Sequence, residues 1–243
     1  MAQSIIDRIP NHKTYAEVFG GAAWILFRKK PGSLEALNDL DRHLMNFYRM
    51  VKFHSPALVD EIAALQPSRD LFYMLRDEID RPAMTDIQRA AAYYYIQRYA
   101  YAGRPGRPTI ATGPTRPVRC RADTARKNLP LVAERLKSVM LENLPWERFI
   151  KLYDTPETFF FIDPPYLGHH EYRHNMKKDE FEILANTLLQ IKGKFLLTHT
   201  DCPEIRALFA GLTIEEIEQP YTAHQMATGK QMRIGHEVLI RNF

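Results

Sequence analysis

A chain of 243 residues and 28.3 kDa, 45% hydrophobic and 26% charged, has an ordinary globular composition and is no mini-protein held by staples. No run reaches the roughly 18 apolar residues of a membrane helix, and Met1-Ala2-Gln3-Ser4-Ile5-Ile6-Asp7-Arg8 carries no secretory pattern, so a cytoplasmic chain with no membrane role is expected. The net charge of +4 is too small to name a partner until its distribution is known.

The first predicted strand, Tyr15 to Phe19, closes in Glu17-Val18-Phe19-Gly20-Gly21-Ala22-Ala23 and opens a helix through Trp24, Ile25 and Phe27. Small residues at such a turn let a cofactor come close to the backbone. Any tight connection between a strand and a helix can use the same Gly-Gly turn. A second strand, Leu34 to Asn38, runs into Asp39-Leu40-Asp41, where nucleotide-binding α/β folds place an acidic group on ribose hydroxyls. We assign that contact to Asp39. Asp41 suits the N-cap of a helix from Arg42 to Lys52, whose Leu44, Phe47, Tyr48 and Val51 keep helical spacing.

From Phe53 to Pro145 the alternation of strands and helices gives way to helices, a tyrosine-rich run and an Arg-Pro-Gly loop. We expect an inserted subdomain over 54–145, between core segments 1–53 and 146–243. Its middle, Gly103 to Lys127, sets Arg104, Arg107, Arg116, Arg119, Arg121, Arg126 and Lys127 against Asp123 alone, so the small net charge hides a strong local one. Thr109 to Pro117 reads as an exposed loop from its Gly and Pro content. A basic loop of this kind suits phosphate contact as well as plain solvation.

Strands resume at Thr158 to Ile162, an apolar run leading straight into Asp163-Pro164-Pro165-Tyr166. In open α/β sheets, ligands bind at such carboxyl ends. Two prolines in a row fix φ and remove both N–H donors, leaving a stiff loop with carbonyls able to accept. A carboxylate, the Pro164 carbonyl and a planar phenol together suit the grip of an amino group on an aromatic base. The oxygens accept its two hydrogens while the ring stacks, which frees the nitrogen lone pair for attack on a methyl sulfonium. Beyond lie a helix, Asp179 to Ile191, and strands at Lys194 to Thr198 and Glu237 to Ile240. Cys120 and Cys202 stand too far apart for a Cys-x-x-Cys knuckle, and no metal site is expected at His169, His170 and His174, which have no acidic partner set.

In this order the glycine loop, the acidic pair and Asp-Pro-Pro-Tyr resemble the Dam-like (alpha-group) S-adenosylmethionine-dependent DNA adenine methyltransferases over nearly the whole chain. The resemblance implies a class I methyltransferase (Rossmann-like) fold: a mostly parallel seven-stranded sheet carrying an inserted helical target-recognition subdomain. It implies S-adenosyl-L-methionine held by Glu17, Phe19, Gly20, Gly21, Asp39, Leu40 and Asp163, and catalysis by Asp163, Pro164, Pro165 and Tyr166. It further implies double-stranded DNA as partner, with the adenine extruded from the duplex, and no protein partner. Arg98, Tyr101, Arg104, Arg107, Arg116 and Arg119 would meet the DNA. Tyr172 and Arg173 would do so from a lid spanning Leu167 to Lys178. Tyr93, Tyr94, Tyr95, Tyr99 and Tyr101 around Arg98 suit support of or contact with that DNA, though helical spacing makes several of them more simply the core of the insert. Similar motifs serve cytosine amino and RNA methylation, and a relative that binds DNA without catalysis shares the pattern. The chain departs from the family at Val18, where proline is usual, and at Ala23, where a third glycine is usual. The family's Gly-Gly-Lys segment is not found ahead of Ile5-Ile6-Asp7-Arg8, which predicts a weaker hold on the cofactor unless the true start lies upstream or another segment replaces it.

Overall fold

The computed structural model describes residues 2–100, 108–111, 122–167, 175–221 and 233–243. Its strands are β1 (Thr14–Glu17), β2 (Leu34–Asn38), β3 (Val139–Glu142), β4 (Thr158–Ile162), β5 (Lys194–Thr200), β6 (Thr213–Tyr221) and β7 (Arg233–Arg241). They form one sheet in the order β3-β2-β1-β4-β5-β7-β6. β1 runs parallel to β2 and β4, and β4 parallel to β5, while β7 is antiparallel to both β5 and β6. This is the mostly parallel seven-stranded, Rossmann-like sheet expected of a class I methyltransferase.

β2 and β4 occupy the predicted ranges. β1 begins and ends earlier than the expected Tyr15 to Phe19, and β5 and β7 extend further. β3 and β6 were not legible as strands. β3 has only four residues, and β6 opens Thr213-Ile214-Glu215-Glu216-Ile217-Glu218, charged as sheet edges often are.

The helices are α1 (Ala2–Ile6), α2 (Trp24–Arg28), α3 (Arg42–Ala64), α4 (Arg69–Glu78), α5 (Asp86–Tyr99), α6 (Ala122–Leu136), α7 (Trp146–Tyr153), α8 (Lys178–Leu188) and α9 (Pro203–Leu208). Two compact units result, one containing Met1–Asn38, Leu144–His169 and Asn175–Phe243, the other built on Asp39–Asn143.

In the first unit, strand alternation sends Ala16, Val18, Ala36, Phe160, Ile162, Phe195, Leu197, Val238 and Ile240 into one buried cluster. Phe149 and Ile150 of α7, Phe181, Leu184 and Leu188 of α8, and Ile205 of α9 close over it. The opposite face of the sheet carries Tyr15, Glu17, Phe159 and Phe161, which the register sets side by side on β1 and β4. Asn38 closes β2 with three hydrogen bonds: its Nδ2 donates to Val18 O (2.9 Å) and Leu144 O (3.1 Å), and its Oδ1 accepts from Leu144 N (2.9 Å). The carboxyl ends of β1 and β2 are thereby pinned where the chain re-enters this unit.

In the second unit, α3 starts at Arg42 as predicted, but it does not stop at Lys52. It bends at His54 (φ −135°, ψ 30°), two residues ahead of Pro56, and continues to Ala64. Proline has no N–H for the carbonyl four residues back, so a bend rather than an end results. The expected boundary between 53 and 54 coincides with this bend, whereas the compact unit begins at Asp39. Residues on both sides of the bend share one core: Val51, Leu58, Val59 and Ile62 pack with Ala90, Ala91, Ala125 and Leu129. Tyr95 and Tyr99 are buried with Phe72, Leu75 and Ile96, and Tyr93 and Tyr94 lie against Phe47. Tyr95 and Tyr99 are core residues, in keeping with their helical spacing, whereas Tyr93 and Tyr94 are half-buried.

Candidate active site

Because β1 and β4 are neighbours in parallel register, the glycine loop and the Asp-Pro-Pro-Tyr loop leave the sheet side by side at its carboxyl edge, where open α/β sheets bind ligands. The glycine loop turns back on β2. Gly20 N donates to Asn38 O at 2.7 Å, and Ala23 N to Gly20 O at 2.7 Å. A Cβ on Gly20 would lie 2.7 Å from Leu37 Cδ1 and 2.9 Å from Asn38 O, so only glycine permits this approach. Gly21 has φ +47°, and a Cβ there would meet nothing within 4 Å. Space therefore lies beside this stretch of backbone, which fits the close approach of a cofactor. Ala23 is left-handed at φ 51°, ψ 39°, a conformation that costs a non-glycine residue roughly 1–2 kcal/mol. Glycine would adopt this backbone angle without that cost. Phe19 packs against the main core cluster.

Glu17, at the end of β1, is 2% exposed. Its Oε2 accepts from Tyr15 Oη at 2.8 Å and from Leu26 N at 3.2 Å, tying α2 to the strand. Burial pushes its carboxyl up to about 8; the Tyr15 and Leu26 hydrogen bonds oppose this, nearby Asp163 adds to it, and Lys29 opposes it. The folded chain therefore holds a proton that the unfolded chain releases. The contribution of Glu17 to stability is fully present below the ordinary carboxylate range and is lost as pH rises through about 8. Glu17→Gln is expected to flatten that decline. Urea midpoints measured from pH 5 to 8 check it, and an unchanged slope would refute a protonated Glu17.

Asp163 follows β4 directly. The residue is exposed, while neighbouring protein atoms partly desolvate its carboxyl. That desolvation raises its carboxyl above the usual range, against hydrogen bonds from Thr198 and Tyr166. Thr198 Oγ1 donates to Asp163 Oδ1 at 2.6 Å. The Tyr166 ring lies 4.8 Å from the His199 ring, tilted by 36°, and Leu167 N donates to His199 Nε2 at 3.1 Å.

Thr198 and His199 were missed as site residues. The available signal was a polar Thr-His-Thr ending to an otherwise apolar strand. Only the sheet order, which sets β5 beside β4, gives that ending a meaning.

In the other unit, Asp39 Oδ1 accepts from Asp41 N at 2.8 Å. Asp41 Oδ1 accepts from His43 N (2.9 Å) and Leu44 N (3.4 Å), so Asp41 caps α3 as predicted. Asp39 is half-buried and Leu40 is exposed. Arg98, near the end of α5, is exposed. Tyr101, Arg104, Arg107, Arg116, Arg119, Tyr172 and Arg173 lie outside the described residues, as do His169, His170 and His174. Among the described residues no group of three or more His, Cys, Asp or Glu is placed to hold a metal ion, and no helix is long and apolar enough to cross a membrane.

A family model described as "D12 class N6 adenine-specific DNA methyltransferase" matches residues 1–223. A curated relative, the "Type II methyltransferase M.MjaIII" of Methanocaldococcus jannaschii, is 23% identical over 175 residues. That alignment covers 64% of this chain and 59% of the relative, so the chain matches less than two thirds of that protein. A solved structure titled "conserved hypothetical protein- streptococcus pyogenes" superposes with a TM-score of 0.39 at 12% identity, covering 100% of this chain and 96% of that one.

Proposed function

The chain belongs to the D12 class of N6 adenine-specific DNA methyltransferases, and from that membership we propose that it moves a methyl group from S-adenosyl-L-methionine to the amino group of adenine in double-stranded DNA. The observation carrying this reading is Asp163, held at the carboxyl edge of the sheet by Thr198, on the loop that leaves β4 beside the glycine loop of β1.

When bound, the cofactor supplies an electrophilic methyl group on a sulfonium. Phe19, Gly20 and Gly21 line its place in this reading, with Asp39 on the ribose and Glu17 holding the loop from behind. Asp163 and the Pro164 carbonyl accept the two amino hydrogens, which draws the nitrogen out of conjugation with the ring and exposes its lone pair. Tyr166 supplies the aromatic surface for the base. Asp163 need not be a strong base, because the amino proton becomes acidic once the nitrogen carries the methyl group.

A base inside a duplex has to be extruded, at a cost of a few kcal/mol that DNA contacts offset. The arginines from Arg98 to Arg119, with Tyr101, are the proposed source of those contacts, joined by Tyr172 and Arg173. Replacing Arg104 and Arg107 by glutamine is expected to lower the slope of log affinity against log salt by about 2 if both meet phosphates. Binding measured from 50 to 200 mM salt tests this, and an unchanged slope removes both residues from the interface.

Expression in cells lacking DNA methylation, followed by mapping of modified bases, tests the reaction. N6-methyladenine within one defined sequence word is expected. Unmodified adenine, or methyl groups on cytosine or RNA instead, would overturn the proposal.

A further inference from the structure

Pro164 and Pro165 have no N–H, so the middle of the Asp-Pro-Pro-Tyr loop cannot be fastened through its own backbone donors. Its fastenings must sit at its two ends, and β5 supplies one at each. Thr198 grips Asp163 at the start, 2.6 Å from Oγ1 to Oδ1. His199, the next residue, takes the N–H of Leu167 just past the end, at 3.1 Å. Consecutive strand residues point to opposite faces, so the two grips come from opposite sides of the sheet.

The chemistry of His199 is set by its partners. Its Nδ1 lies 2.8 Å from Thr200 O, and a carbonyl only accepts, so Nδ1 carries the hydrogen. Nε2 receives the Leu167 N–H and must present a lone pair. His199 is thus a neutral imidazole of one tautomer, 1% exposed. The Tyr166 ring lies 4.8 Å from it, and Phe181 meets it edge-on at 5.1 Å and 72°. A ring with both nitrogens committed and aromatic neighbours has little freedom to turn. It therefore offers the Tyr166 ring a fixed surface to pack against.

We propose that His199, as the neutral Nδ1–H tautomer, is a positioning residue for methyl transfer. It holds Tyr166 and Leu167 so that the phenol ring and the Asp163 carboxylate address the same target base. This rests on the adenine methyltransferase reading above. In this role His199 acts through the loop rather than on the cofactor or the base, so its loss falls on the rate of the chemical step more than on cofactor binding.

Two measurements on the full chain test the assignment. Nitrogen-15 NMR of the histidine rings, with His199 identified by the signal missing from His199→Gln, should show a protonated Nδ1 and an unprotonated Nε2 at pH 7. An imidazolium, or the opposite tautomer, overturns it. In single-turnover and steady-state assays, His199→Leu should lower kcat by roughly 10- to 100-fold, as for a displaced catalytic group, with the KM for S-adenosyl-L-methionine within about threefold. His199→Gln, whose Oε1 can accept the Leu167 N–H, should restore most of that rate. Unchanged kcat in His199→Leu, or equal losses in both variants, overturns the role. If His199→Leu fails to fold, kcat in His199→Gln and the ring spectrum decide. A wild-type chain inactive on adenine defeats the reaction reading, and the ring spectrum still decides whether His199 holds the loop.

Discussion

Asp163→Ala is expected to lower adenine methylation by about 10³-fold, the order seen when a charged group acting directly on the reacting atoms is removed. Duplex DNA binding should survive, because the proposed phosphate contacts lie elsewhere in the chain. Two accompanying changes make the test specific. Thr198 Oγ1 loses its 2.6 Å acceptor, and Glu17 loses the negative neighbour that helps raise its carboxyl towards about 8. The pH range over which stability declines should therefore end lower in Asp163→Ala than in the wild type. Asp163→Asn keeps the volume and one accepting oxygen, so its activity should lie between the two. Gel-shift affinity, methyl incorporation and urea titrations across pH measure all three effects. Wild-type activity in Asp163→Ala would sink the catalytic assignment outright.

The second large effect is expected at Gly20. Its alanine variant drives a Cβ to 2.7 Å from Leu37 Cδ1 and to 2.9 Å from Asn38 O. The leucine tip can rotate away, but the backbone carbonyl cannot, because Gly20 N donates to it at 2.7 Å and the Asn38 side chain is itself fixed by three hydrogen bonds. Relief has to come from the loop moving off β2, at a cost of about 1–3 kcal/mol, typical of overpacked sites. The expected result is a melting temperature lower by several degrees and cofactor affinity reduced by at least about tenfold, since the displaced loop is the proposed cofactor surface. Gly21→Ala is the control. Its Cβ would meet nothing within 4 Å, leaving only the strain of a positive φ, roughly 1–2 kcal/mol. Calorimetric titration of S-adenosyl-L-methionine and thermal melts compare them. If Gly21→Ala proves the less stable of the two, crowding against β2 is not what glycine relieves at position 20.

Both variants bear on motifs that were readable without coordinates, and the same holds for much of the fold. β2 and β4 were legible because an apolar run bounded by turn residues has few other uses. The Asp41 cap was legible because capping is a local interaction between a side chain and N–H groups two and three residues on. The apolar spacing of α3 is regular only as far as Val51, and whether a helix bends or stops at the following Pro56 is decided by packing. Val51 before the bend and Leu58 after it reach the same core, so the helix resumes. β6 was not legible because its partner β7 lies beyond residues 222–232 in sequence, and charged residues mask its alternation.

The sequence by itself determined the chemistry on offer: a carboxylate, a stiff diproline and a phenol behind a buried strand, with small residues behind another. Those are properties of neighbouring residues, and covalent order is enough to state them. The tertiary structure decided which groups hold these pieces in place. Thr198 and His199 are 35 and 32 residues from their partners Asp163 and Leu167, and Gly20 is crowded by Leu37 and Asn38 rather than by its own turn. Such contacts arise only once parallel pairing sets β5 beside β4 and β2 beside β1, and pairing between distant strands leaves no local mark on the residues it joins.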